Sequence, residues 1–537
     1  MTHVDIIQLA LVIIVTLGFA LLFGKYLARM IVYEVRPLEK TLGRVENGFY
    51  KIIGIDKYEQ MTWKQYLYAL LLTNGIAAGF VFAVFMLQNY MPLNPMPAFS
   101  GDLAFMQAAS FVTNTDLQHY AGDQQLSLLS QMVSLIFVMF VAPASGIAAA
   151  FAFIRGFIRK NFGLGNFYVD FTRIIITLLL PVAFFSAILL IAMGSPQTME
   201  PSITTGTIEG KSQTMVTGPV ASLESIKQLG SNGGGYYGAN SAHPFENPTG
   251  VSNIFETFLM LVIPFSFPIA YAHLLGKGRG VSILAAMVIG FGVMLILGLF
   301  HESGPSGVET RFGSFGTVLF NVASIATNTG ALNSSLLGMN HDAIISLFVG
   351  MFVQAIPGAD GTGMMTMIVY IILTLFIVGL MVGKTPEFMS MKINPKDIKL
   401  AVLVFLAHPA LILIPTVVAY TTGSAESLFD KSTPLSFTQI LYEFTSAAAN
   451  NGSDYLGTAA NTPFWNWSTG LVMLIGRYLP IGLMLAIAGS FTMKDRKEIV
   501  EPIKTQGPVF VGILVVVTFI LTALTFFPVL AMGPFSI

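Results

Sequence analysis

The sequence predicts an all-α polytopic membrane protein of about ten transmembrane helices, in which a unit of span, half-helix with loop, and span occurs four times between one extra helix at each end. Three observations carry this: apolar stretches long enough to cross a bilayer, an alternation of base-rich and base-poor loops, and four loops of similar make-up.

Of the 537 residues 54% are hydrophobic and 10% charged, against about 25% charged in soluble domains. Mean hydropathy is +0.72, which excludes an ordinary soluble protein. A net charge of -1 offers no bulk basic face for nucleic acid. The absence of cysteine excludes a disulfide framework, a thiolate metal site and a cysteine nucleophile. The first apolar stretch has no basic run before it and no small-residue cleavage site after it, so it reads as a retained span.

A crossing helix needs about 20 mostly apolar residues. Stretches of that kind run near 5-24, 67-87, 127-154, 172-193, 252-275, 281-300, 343-383, 400-421, 469-492 and 508-532. The 343-383 stretch is broken by Pro357, Gly358, Asp360, Gly361 and Gly363 and reads as one span interrupted by a loop, two short spans being the other reading. Lys and Arg gather in alternate loops: Lys25, Arg29, Arg36, Lys40, Arg44, Lys51, Lys57 and Lys64; Arg155, Arg159, Lys160 and Arg173; Lys277 and Arg279; Lys384, Lys392, Lys396 and Lys399; Lys494, Arg496, Lys497 and Lys504. The opposite loops hold Lys211, Lys227, Arg311 and Lys431. Basic loops stay in the cytoplasm, which puts both termini outside. The outer loops keep an excess of acids from Asp102 to Asp454, read either as a cation-concentrating vestibule or as the residue of the same rule.

Each longer outer loop holds a half-length run of small and apolar residues ending in Asn and small polar or Gly residues. Ala108 to Val112 leads to Thr113-Asn114-Thr115-Asp116; Leu223 to Leu229 leads to Gly230-Ser231-Asn232-Gly233-Gly234-Gly235. Val322 to Ala326 leads to Thr327-Asn328-Thr329-Gly330, and Phe444 to Ala448 to Ala449-Asn450-Asn451-Gly452. Irregular backbone at membrane depth is tolerated where it is buried or lines a wet cavity. Four such loops around one axis make a pore lining, and half-helices ending there aim their negative dipole ends at it, which favours a cation. Asp116, where the other loops have Gly, places a carboxylate at the lining or on its rim.

The run Gly230 to Thr249 resembles the KdpA family, the potassium-binding subunits of the bacterial Kdp potassium-transporting ATPases. Met61-Thr62-Trp63-Lys64-Gln65-Tyr66, Leu164-Gly165-Asn166-Phe167 with Asp170, Lys384-Thr385-Pro386-Glu387 and Phe444 to Ser453 extend the resemblance over nearly the whole chain. It implies four membrane-pore-membrane repeats of the potassium-channel and potassium-transporter superfamily: 66-160 with filter 113-118, 161-280 with filter 230-235, 281-399 with filter 327-330, and 400-497 with filter 449-453, flanked by 1-65 and 498-537. The implied potassium-binding residues are Thr113, Asn114, Thr115, Asp116, Gln118, Ser231, Asn232, Gly233, Gly234, Asn328, Thr329, Gly330, Asn450, Asn451 and Gly452. The family usually has Asn then Trp where this chain has Asp116 and Leu117, and Thr where it has Asn328. Relatives carry an acidic residue and a Gly-Gly-Val-Gly-like run where this chain reads Val353 to Gly363. The implied function is potassium binding and translocation in an ATP-driven uptake complex of the bacterial plasma (inner) membrane. Its partners would be a P-type ATPase catalytic subunit (KdpB-like) and single-span accessory subunits (KdpC-like, KdpF-like), with potassium as transported ion and no covalent cofactor.

Pro357, Gly358, Asp360, Gly361 and Gly363 read as a gating loop beneath the filter, or as a kink that serves packing. Arg477 lies inside a span, either as a fixed positive charge opposing free flow or as one half of a structural pair. His243 with Glu246 offers too few ligands for a metal, and Gly379, Gly383, Lys384 and Thr385 miss phosphate-loop spacing by one residue. Hydrolysis must therefore come from a partner chain. A stand-alone potassium channel or symporter subunit is the alternative. A membrane-embedded enzyme is disfavoured by the lack of convergent titratable residues within the spans.

Overall fold

The computed structural model describes residues 2–34, 39–158, 163–301, 309–424, 428, 433–496 and 503–536. Arg36, Arg159, Lys160, Lys431 and Lys497 lie outside the described residues, as does the side chain of Lys40. Among the described residues ten helices are long and apolar enough to cross a membrane: His3–Ile31, Trp63–Tyr90, Leu128–Arg155, Phe167–Met193, Gly250–Leu275, Lys277–Leu299, Thr362–Val382, Pro395–Thr421, Pro463–Thr492 and Pro508–Met532.

Their starts are written locally. Thr62 and Thr249 accept from the backbone N–H of Gln65 and Ser252 and donate their own N–H back to those side chains, and Asn394 is joined to Asp397 in the same box. Proline opens Pro395–Thr421, Pro463–Thr492 and Pro508–Met532, where its missing N–H has no partner to lose. The apparent phosphate-loop residue Gly383 is the left-handed cap (φ 68°) of Thr362–Val382.

The spans sort by burial. Leu128–Arg155 and Gly250–Leu275 are largely enclosed, whereas His3–Ile31 turns Leu21 and Leu22 outward and Phe167–Met193 turns Phe184 and Phe185 outward. In a bilayer those faces meet lipid. The first span is pressed onto the fifth: a Cβ on Gly24 would lie 2.6 Å from Ile269 Cβ, so only glycine allows this approach. Two wide-turned π segments, Gln131–Ile136 and Ile174–Leu179, interrupt the third and fourth spans.

The 343-383 stretch is two helices, His341–Val353 and Thr362–Val382, and the second alone is long enough to cross. Gln354 ends the first in left-handed backbone (φ 53°), and Gly358 and Gly361 take φ of 77° and 76°. The Gly358 N–H donates to the carbonyl of Ala326 at 2.9 Å. This docks the break under the end of Gly313–Ala326.

Short elements the sequence did not disclose complete the fold. An antiparallel hairpin pairs Ser202–Gly206 with Ser212–Val216, with Ile203 opposite Met215. Glu39–Ile53 is an amphipathic helix in the first basic loop. Arg155 is not a solvated loop charge: fully buried, it makes a two-pronged pair with Asp170 (2.6 and 2.8 Å), to which Tyr66 also donates at 2.8 Å.

Candidate functional site

Four helices of the described residues end alike: Gly101–Val112, Val220–Leu229, Gly313–Ala326 and Pro434–Ala449. Just beyond them Asn114, Ser231, Asn328 and Asn450 adopt left-handed backbone at φ 61°, 51°, 51° and 53°. The following N–H folds back five residues each time: Thr115 to Ser110 O (3.0 Å), Asn232 to Lys227 O (2.8 Å), Thr329 to Ser324 O (2.8 Å) and Asn451 to Ser446 O (2.9 Å). This is one helix-ending motif used four times. Asparagine fills three of the left-handed positions because its short polar side chain tolerates that backbone.

The four loops touch in a closed ring. Asn114 donates its amide to Ser231 O (2.6 Å), joining the first loop to the second. Asn328 reaches Ala449 O (3.1 Å), and Asn451 reaches back to Ile325 O (3.3 Å), joining the third and fourth. Asn450 donates to Thr115 Oγ1 (2.9 Å), joining the fourth to the first. The second and third meet where a Cβ on Gly233 would collide with the carbonyl of Thr329.

That collision explains the glycines. A Cβ on Gly330 would strike the Asn451 carbonyl, and one on Gly452 the Thr115 carbonyl. Three of the loops thus lay a bare Cα against a neighbour's carbonyl, and Gly330 (φ 83°) and Gly452 (φ 91°) also need backbone that side chains resist. The position equivalent in the first loop is Asp116, held at φ 56° and buried, with Oδ1 unpartnered and Oδ2 3.5 Å from the Gly234 N–H. Thr113 and Thr115 share a hydroxyl contact (2.7 Å) that Thr327 and Thr329 repeat (2.8 Å).

A model of the family described as KdpA, Potassium-transporting ATPase A subunit, matches residues 10–536. The chain belongs to the KdpA family. The fold is also similar to that of the potassium transporter TrkH from Vibrio parahaemolyticus, with a TM-score of 0.56 at 17% identity over 89% of this chain and 98% of that one. The family match and the ten apolar helices establish a multi-span membrane protein of potassium transport.

In this KdpA-family chain the side chains singled out from the sequence do different things. Asn232 turns its amide away from the ring, to Met139 O and Ile226 O. Gln118 zips the first loop to the second, accepting from Gly235 N (2.8 Å) and donating to Gly235 O (3.1 Å). One side of the ring opens on a cavity of about 400 Å³ lined by Asp116, Gln118, Asn240, Gly330, Gly452 and Asp454. Not every acid of the base-poor loops faces it: Glu224 and Glu246 are fully buried on Lys227 (3.1 and 2.6 Å), and Glu443 is buried against His119 (3.3 Å). His243 stacks on Tyr237, 3.7 Å between rings.

On the other side of the ring, Asp360 and Arg477 meet at a residue the sequence did not mark. Gly146 of the third span lies against both: a Cβ there would be 2.7 Å from Arg477 Nη2 and 3.3 Å from the Asp360 carbonyl. Gly361 presses on the same turn, at Gly146 O and Ile147. Pro357, Gly358 and Gly363 shape the loop that carries Asp360 there, since Cβ atoms on Gly358 and Gly363 would collide with each other's backbone. Ser145-Gly146 within a long apolar run was the sequence signal for this close approach.

Proposed function

We propose that the chain is the potassium-binding and translocating subunit of an ATP-driven high-affinity uptake complex. The supporting observation is the closed ring of four identically capped loops, whose carbonyls lie against the neighbouring loops. Backbone carbonyls in a ring replace the hydration shell of potassium, and four helix C-termini converging on it add negative potential. In this reading the ion enters from the outer cavity, and Thr113 to Asp116, Ser231 to Gly234, Asn328 to Gly330 and Asn450 to Gly452 form the filter, with Gln118 as its outer brace. The loop Pro357 to Gly363 and Arg477 gate the inner end, an intramembrane cation opposing free downhill flow.

Energy would come from a P-type ATPase catalytic subunit, with single-span accessory subunits completing the complex. Membership of the KdpA family supports a bacterial plasma-membrane placement, and the distribution of Lys and Arg supports both termini outside.

The test is potassium-dependent ATP hydrolysis by the complex co-purified with its ATPase subunit, wild type and Gly233→Asp, titrated with potassium and with sodium. Stimulation by micromolar potassium alone, with affinity or discrimination lost in the variant, is expected. If no ATPase co-purifies, or hydrolysis ignores potassium and the variant alike, the pump reading fails and a stand-alone channel or symporter subunit takes its place.

A further inference from the structure

A buried carboxylate sits at the inner end of the ring. Both carboxylate oxygens of Asp360 lack a hydrogen-bond partner although the residue is 2% exposed. The Ser231 hydroxyl is the side-chain donor directed at that carboxylate, outside contact distance. Arg477 is the neighbouring opposite charge, but its guanidinium donates to the Ala142 carbonyl at 3.4 Å and forms no ion pair with Asp360 within 4 Å. A carboxylate taken out of water with no hydrogen bond or ion pair at contact distance is costly unless a cation compensates it. Something with positive charge belongs against it.

We propose that Asp360, with the Ser231 hydroxyl, forms a monovalent-cation site at the inner mouth of the ring. Arg477 is then the tethered cation that swings onto Asp360 when the ion leaves. This inference rests on the reading of the four-loop ring as the ion path. The chemistry fits potassium better than a divalent ion: one carboxylate beside a neutral hydroxyl compensates a single charge, and the adjacent guanidinium repels a second. The exchange also gives a direction to transport. An ion arriving through the ring displaces Arg477 from Asp360. Once the ion has moved on, the guanidinium returns and occupies the site from which backflow would start. Asp360 can reach this place only because Gly146 and Gly361 let the third span and the broken stretch approach at backbone contact.

The experiment uses the whole complex with its ATPase partner in detergent and counts bound rubidium, a potassium surrogate, per chain at equilibrium. The half-stimulating potassium concentration for hydrolysis is measured on the same samples. Asp360→Asn, nearly isosteric, is expected to bind one rubidium fewer and to need about tenfold more potassium, with potassium-over-sodium preference unchanged. Asp360→Glu, which keeps the carboxylate, should keep the ion count and shows that loss in the asparagine variant is not misfolding. Arg477→Gln should retain rubidium more tightly and uncouple hydrolysis from uptake. Full occupancy and unchanged affinity in Asp360→Asn would overturn the site. Gly452→Ala separates the two readings: if it leaves ion preference intact while Asp360→Asn still loses an ion, the ring fails as filter and the inner site stands.

Discussion

Asn450 donates its side-chain amide to Thr115 Oγ1 at 2.9 Å, across 335 residues of chain, and this contact closes the ring between its last loop and its first. The same nitrogen holds the Met473 carbonyl at 3.0 Å, so one side chain ties two loops to the ninth span.

Asn450→Ala should therefore loosen the ring at its seam. It leaves the buried Met473 carbonyl without this donor, a loss of about 1–3 kcal/mol. The expected result is a lower melting temperature and a weaker preference for potassium over sodium in ion-stimulated ATP hydrolysis by the complex. Equal preference in variant and wild type would show that the seam does not shape the ion path.

Gly452→Ala is the sharper variant. Its methyl would fall on the Thr115 carbonyl, and its left-handed backbone costs a residue with a Cβ about 1 kcal/mol before any collision. Apparent potassium affinity should fall at least tenfold, whereas Gly457→Ala, also left-handed but with open space at its Cβ, should cost only stability. A potassium titration of both variants makes the comparison.

Asp170→Ala is expected to be among the most destabilising changes away from the ring. It strands the fully buried Arg155, which otherwise has a two-pronged carboxylate, and removes one of the two acceptors of Tyr66, the other being the Ala148 carbonyl. Breaking one side of such a pair costs about 3–5 kcal/mol, whereas Asp170→Leu with Arg155→Met should lose much less. Thermal unfolding of the single and double variants in detergent decides it.

Asp454 lines the cavity that opens on the ring, and burial followed by the charge of Glu443 pushes its carboxyl up to about 7. The folded protein thus favours the protonated form, and any stability tied to it is lost as pH rises from the ordinary carboxylate range through 7. The charge it gains over that window attracts cations to the mouth. Half-stimulating potassium should fall roughly threefold between pH 6 and pH 8, and Asp454→Asn should flatten the profile.

The spans, the break near Pro357 and the four loops were legible in the sequence because each is written locally, in apolar run length, Pro and Gly placement and repeated Asn with small residues. The C-terminal ends of the half-helices could be read to within a residue, since the Asn and small residues that follow carry their own signal. What joins the loops was not legible. Asn450 with Thr115, or Gly146 with Arg477, are neighbours only after the helices pack, and no spacing announces them. The charges misled for the same reason: Arg155 and Lys227 count as loop bases by position, yet each is buried among carboxylates that arrive from elsewhere in the chain. Asp360 stood out as a helix breaker, but its unpartnered oxygens are visible only in three dimensions.

All four quadrants of the ring are encoded in one polypeptide, and the third residue of the motif already differs: aspartate in the first loop, glycine in the others. In an assembly of four identical chains, a single codon change would alter every quadrant at once and leave no intermediate. Here each quarter drifts separately under its own selection. Ion preference can accordingly be adjusted in steps of one side chain, and a variant library confined to position 116 samples those steps without touching the glycines that hold the other three quarters together.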